Sequence, residues 1–181
     1  MDHDSYTAEY IREVLTATRT IALVGASANP ARPSNGVMRT LMRWGYELYP
    51  VNPGLAGKEL AGRTVYASLA DVPVPIDLVD VFRNSAAAAD VVDEALALSP
   101  LPKFIWMQLG VRNDEAARLA EDAGVKVVMN RCPKIEYGRL SSEISWMGIN
   151  SRTLSNKRAQ NLGGGFQRMG LNQAGEKKND A

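Results

Sequence analysis

The chain has 181 residues, 45% of them hydrophobic and 23% charged, and its formal net charge is +1. That length can bury a substantial core in one domain, and the near-neutral balance excludes the strong field of a nucleic-acid or anionic-membrane binder. The single cysteine, Cys132, excludes an internal disulfide, and neither a membrane-length apolar run nor a basic-then-apolar leader is present, so a soluble cytoplasmic protein is expected.

In chain order, the pattern predicts a leading helix over about Thr7–Thr18 and then a strand at Thr20–Val24. That strand stops at Gly25. A loop of small residues runs on to Ser34, where a helical pattern begins and continues to Trp44. Glu47–Val51 is the second strand. The stretch Asn52–Pro75 reads as irregular, with a short helical turn at Ser68–Asp71. Strands at Ile76–Phe82, Lys103–Met107 and Lys126–Met129 alternate with helices at Ser85–Leu98 and Asn113–Ala123. Ser34, Ser85 and Asn113 are expected as N-caps. Gly45 and Gly124 stand where helices end in a left-handed residue.

Several strands are near-continuous apolar runs, which suits burial on both faces of a parallel sheet. Alternating strands and helices predict a doubly wound, mostly parallel five-stranded α/β sheet. Beyond about Leu140 the alternation stops, giving a domain over residues 1–140 and a C-terminal extension over 141–181. Residues 150–181 carry six Lys and Arg against two Asp and Glu, so the extension is basic, and its last part is expected to be disordered. Its scattered apolar residues suggest docking on a second copy of the chain or on a partner enzyme, or packing back on its own domain.

Ligands of doubly wound sheets bind at the carboxyl ends of the strands, so each strand-end loop is a candidate. After the first strand, Gly25, Ala26 and Ser27 lead to Arg32 and Ser34 at a helix N-terminus, an arrangement that suits a phosphate. After the second, Val51-Asn52-Pro53 lacks the carboxylate that an NAD ribose needs, and Lys58 favours an added ribose phosphate. That points to NADP or coenzyme A. Phe82 and Arg83 can stack on a base and pair with a phosphate. Gln108 is a polar handle beside Gly110, and Cys132 lies between Arg131 and Lys134. Trp106 is expected in the core. His3, the sole histidine, lies in a terminus expected to fray, so no catalytic set and no metal-ligand spacing is visible.

Together these loops resemble the small bacterial CoA-binding proteins, which are similar to the CoA-binding domain of the succinyl-CoA synthetase α subunit. The resemblance rests on Gly25-Ala26-Ser27 with Arg32-Pro33-Ser34, on Val51-Asn52-Pro53, on Asp77 to Arg83, on Trp106 to Gly110, and on Arg131 to Glu136. It implies a three-layer Rossmann-like fold that binds coenzyme A or an acyl-CoA. Gly25, Ala26, Ser27 and Arg32 would hold the pyrophosphate, and Val51, Asn52 and Pro53 would border the adenosine. Phe82 and Arg83 would line the nucleotide side. Met107, Gln108 and Gly110 would meet the pantetheine arm, with Asn130, Arg131 and Cys132 at the last loop. The chain departs from the family pattern at Gly54, Asn130 and Tyr137. The synthetase's catalytic histidine lies in a domain outside the resemblance, so the expected role is non-catalytic: carrier, sensor or regulatory module. The alternative is an NADP-linked oxidoreductase, or an acyl-CoA-processing enzyme using Cys132.

Overall fold

A computed structural model describes residues 1–146. Its main sheet has five parallel strands: β1 (Thr20–Val24), β2 (Glu47–Val51), β5 (Leu78–Val81), β6 (Phe104–Met107) and β7 (Lys126–Val128). Their order is β2-β1-β5-β6-β7. The chain steps outward from β1 to β2 and then returns to the far side of β1 to form β5. The winding direction therefore reverses between β1 and β5, and a crevice opens at such a reversal, above the strand ends. The predicted α/β class, strand number and parallel sense all hold.

Two apolar layers sandwich this sheet. On one face, Ile21, Leu23, Leu48, Leu78 and Trp106 pack against α1 (Ala8–Ala17), α2 (Pro33–Arg43) and α5 (Pro133–Trp146). On the other, Val24, Val79, Val81, Ile105 and Met107 pack against α3 (Ala88–Leu96) and α4 (Asp114–Asp122). Alternate strand residues supply the two faces, as the period of two requires. β2 is the outer strand, so Pro50 breaks no ladder inside the sheet. Its carbonyl instead accepts Tyr66 N at 2.9 Å.

The caps differ from expectation in two of three places. Asn113 does cap α4, its side chain accepting Ala116 N at 3.0 Å. Ser34 does not cap α2. Pro33 occupies the first turn, which needs no N–H there, and Arg32 is the cap residue without a side-chain bond. Ser85 lies before α3 and instead accepts Arg112 N through Oγ at 3.1 Å, which fastens two loops together. Gly45 and Gly124 do have positive φ, 87° at each.

Asn52–Pro75 is more ordered than the sequence suggests. It holds a 3-10 turn at Pro53–Leu55 and a small antiparallel pair, β3 (Glu59–Leu60) with β4 (Arg63–Thr64). Ser68–Asp71 forms a turn, not a helix, closed by Ser68 Oγ donating to Asp71 at 2.7 Å. α5 was missed altogether, because Pro133 to Leu140 reads as loop when only periodicity is used. It runs across the boundary drawn at residue 140. Most of the C-terminal extension, from Met147 on, lies outside the described residues. The N-terminus does not fray at His3. That ring is buried, with Nδ1 2.9 Å from the Tyr6 hydroxyl and Nε2 3.6 Å from Glu121. No helix among the described residues is long and apolar enough to cross a membrane.

Candidate functional site

Parallel strands bring all their carboxyl ends to one edge, and the loops there continue the ladder as a linked row. Gly25 N and Ala26 N donate to Val51 O at 2.9 and 3.3 Å. Phe82 N donates to Val24 O at 2.8 Å, Gln108 N to Val81 O at 3.3 Å, and Arg131 N to Met107 O at 3.3 Å. The edge thus sets the strand-end loops side by side.

The loop after β1 is held from both sides. Gly25 has φ +91°, and a Cβ there would stand 2.5 Å from the Phe82 carbonyl oxygen, so only glycine fits without displacement. Asn52 Nδ2 donates to Ala26 O at 2.7 Å while its Oδ1 accepts Gly54 N at 2.9 Å. Buried Asn35, in the first turn of α2, donates to Ser27 O at 2.8 Å. Ser27 Oγ and Asn29 Oδ1 accept Asn29 N and Ala31 N, which tightens the bend. The backbone N–H groups of Ser27 and Ala28 donate to no group among the described residues. They lie just before a helix N-terminus, where N–H donors and the helix dipole favour an anion. Exposed Arg32 stands at that terminus with no ion-pair partner among the described residues.

Several expected contacts turn out to be supports. Both polar atoms of the Asn52 side chain bond the backbone, at Ala26 O and Gly54 N, and so fix the loop. Asn130, at φ 52°, accepts Gly110 N at 2.8 Å and shapes the last two loops. The side chains of Val51 and Met107 are buried in the core, leaving only their backbone at the edge. Ser34 is buried as well. Arg131 turns away toward the N-terminal arm. It lies 5.4 Å from the Tyr6 ring centroid, donates to Asp4 O at 3.1 Å, and is 4.0 Å from Glu136. Cys132 is buried at 7% exposure, as a small core residue. Half-buried Phe82 and exposed Arg83, Lys58 and Gly110 remain at the surface of the edge. Trp106 is core, and its indole N–H is satisfied by Arg131 O at 2.8 Å.

Sequence reading missed Asp80. It lies in the centre of the sheet, opposite Leu23 on one side and Trp106 on the other, and is fully buried. Oδ1 accepts Gln108 Nε2 at 2.7 Å, and Oδ2 has no partner among the described residues. Burial pushes this carboxyl up to about 7, against the lowering effect of the Gln108 bond. The signal was visible as an acid inside the apolar run Leu78–Val81. Gln108 is therefore tied down beneath the edge, and little of it is exposed.

A cavity of about 730 Å3 lies along α2. A smaller one of about 280 Å3 lies under the N-terminal arm near Tyr6 and Arg131.

Residues 19–138 match the family model described as the CoA binding domain, and the chain belongs to that family. It is 37% identical over 127 residues to the protein YneT of Bacillus subtilis (strain 168), covering 70% of this chain and 91% of that one. A hypothetical protein from Pyrococcus horikoshii OT3 shares the fold with a TM-score of 0.71 at 42% identity. The match covers 76% of this chain and 94% of that structure. The acetate–CoA ligase (ADP-forming) I α subunit of Pyrococcus furiosus is 31% identical over 86 residues, which are 45% of this chain but only 19% of that subunit. The expected family resemblance and its Rossmann-like fold both hold.

Proposed function

We propose that this member of the CoA binding domain family binds coenzyme A or an acyl-CoA across the carboxyl edge of its sheet, without catalysing a reaction on it. It then serves as a carrier, sensor or regulatory module. The observation that carries the reading is the loop Gly25–Arg32. It is braced from β2, β5 and α2, and at a helix N-terminus it leaves the Ser27 and Ala28 N–H groups and Arg32 without a partner among the described residues. A pyrophosphate matches that set of donors. Lys58 and Arg83 supply further cations on the nucleotide side.

Two placements support a non-catalytic role. His3 is committed to Tyr6 and Glu121 at the N-terminal arm, and the Cys132 thiol is buried. Neither offers a proton-transfer group or nucleophile at the edge. The match to an α subunit of a CoA ligase covers less than a fifth of that subunit, so its reaction is not carried over.

Calorimetric titration with CoA, 3′-dephospho-CoA, NAD and NADP tests this. CoA should bind, more weakly without the 3′-phosphate. Binding of NADP with no response to CoA would overturn the reading. An assembly role for residues 141–181 is read out by size-exclusion chromatography with and without them. An unchanged oligomeric state would count against such a role.

A further inference from the structure

The cavity along α2 is lined by cations from two separate elements. Arg39 and Arg43 project from one side of α2, Lys134 comes from the first turn of α5, and Ala61 closes it from the β3–β4 turn. Like charges four apart on a helix repel and cost stability. No carboxylate among the described residues lines the cavity to offset them.

Several cations elsewhere are neutralised: Lys126 pairs with Glu13, Arg112 with Asp4 and Asp114, and Arg118 with Asp122. What sets the groove apart is that three cations from two elements converge on one cavity. Arg39, Arg43 and Lys134 enter no ion pair among the described residues. Their guanidiniums are instead tethered on α2 itself. Arg39 Nε donates to Asn35 Oδ1 at 3.0 Å, and Arg43 donates to Thr40 Oγ1 at 3.4 Å. Most of the donors on each fork stay unused. The volume lies within the range of small-molecule sites, and Met42 and Ala61 add apolar surface beside the charges.

We propose that this groove is a phosphoanion-binding site. Two guanidiniums and one ammonium match the double charge and several acceptor oxygens of a phosphoryl group, which a single carboxylate would not satisfy. An apolar portion of the same ligand rests on Met42 and Ala61. The site lies along the flank of α2 and the first turn of α5, apart from the Gly25–Arg32 loop that carries the coenzyme reading, and it stands whether or not that reading does. The phosphoryl group is either one of the coenzyme's own or that of a separate phosphorylated metabolite.

The test titrates the full chain with inorganic pyrophosphate, with and without saturating CoA, in the wild type, R32A, R39Q/R43Q and K134Q, the last two also combined with R32A. Because pyrophosphate can also occupy the Gly25–Arg32 loop, the groove is read on the R32A background: there R39Q/R43Q and K134Q should each weaken pyrophosphate about tenfold or more. All four substitutions are at exposed positions, and thermal melts check that each variant folds. If R39Q/R43Q also weakens CoA and CoA displaces pyrophosphate, the phosphoryl group belongs to the coenzyme. If both ligands bind together, it belongs to another metabolite. Either result supports the site. No pyrophosphate binding by R32A would overturn it, as would equal binding when R39Q/R43Q or K134Q is added to that background. Loss of CoA binding with pyrophosphate retained sinks the coenzyme reading alone.

Discussion

Gly25 touches the Phe82 backbone so closely that a single added methyl would lie 2.5 Å from its carbonyl oxygen. This contact joins the loops after β1 and β5, at the place where the direction of winding reverses. The left-handed φ of +91° adds a second penalty for any side chain. Gly25→Ala should therefore lower stability by about 2 kcal/mol or more and abolish CoA binding. Denaturant unfolding and calorimetry read the two effects. A variant as stable as the wild type would mean the loop relaxes freely, and the close fit would lose its importance.

Asn52 braces the loop after β1 from β2. Its amide donates to Ala26 O and accepts from Gly54 N. Asn52→Ala loses both bonds and should weaken CoA and lower stability by about 1–2 kcal/mol. Asn52→Asp keeps the bond from Gly54 but sets a carboxylate against the Ala26 carbonyl, and should do no better. Full CoA affinity in both variants would show that the loop holds its shape without this brace.

The sheet was legible because burial on both faces writes itself as unbroken apolar runs. Thr20–Val24 and Glu47–Val51 match their strands residue for residue. The site was legible only as a set of loops. Asn52, Asn130 and Arg131 have the chemistry of ligand contacts, and nothing in a linear pattern says that they also bond Ala26, Gly110 and Asp4. α5 escaped because it mixes polar and apolar residues without a strong stripe. Tyr137 nevertheless stacks on Trp44 at 4.1 Å and is fully buried. Such a partner, distant in sequence, supplies the reason for the helix, and local propensity does not report it.

Asp80 predicts a pH dependence of folding. Its carboxyl is raised from an ordinary 3.8 to about 7 by burial. Between those values the folded state holds a proton that the unfolded state has released, so this group's contribution falls as pH rises, by a few kcal/mol in all (order of magnitude). Asp77 acts in the opposite sense. Burial pushes it up, but bonds from Lys103 and from the Thr20 and Arg19 N–H groups outweigh this and hold it low, so its contribution is lost on acidification. Asp80→Asn removes only the first effect. Its stability relative to wild type should climb from pH 5 to pH 7 and then level off. Parallel unfolding curves for the two proteins across that range would show that Asp80 does not titrate there.

Cys132 lies in the same core cluster as Trp106 and Tyr137, at 7% exposure. Alkylation at neutral pH should be slow in the folded protein and fast in denaturant, since attack requires access to the sulfur. Cys132→Ser should leave CoA affinity within about twofold, the scale of a change that removes no ligand contact. Rapid labelling of the native protein, blocked by CoA, would place the thiol at the ligand and revive a role in acyl transfer.

Arg32 separates binding from stability most cleanly. It occupies the cap position of α2, but its side chain makes no capping bond and forms no ion pair among the described residues. Pro33 sets the first turn without help from it. Arg32→Ala should therefore change folding stability by no more than about 0.5 kcal/mol. If the guanidinium holds a coenzyme phosphate, the same change weakens CoA by about 1–3 kcal/mol, the scale for a hydrogen bond to a charged group. The loss should be larger at low salt, because an exposed pair is screened as ionic strength rises. Arg32→Lys keeps the charge but not the fork, so it should recover part of the affinity. Equal CoA affinity in wild type and Arg32→Ala, with the melting temperature unmoved, would remove Arg32 from the site and leave the Ser27 and Ala28 N–H groups to hold the phosphate.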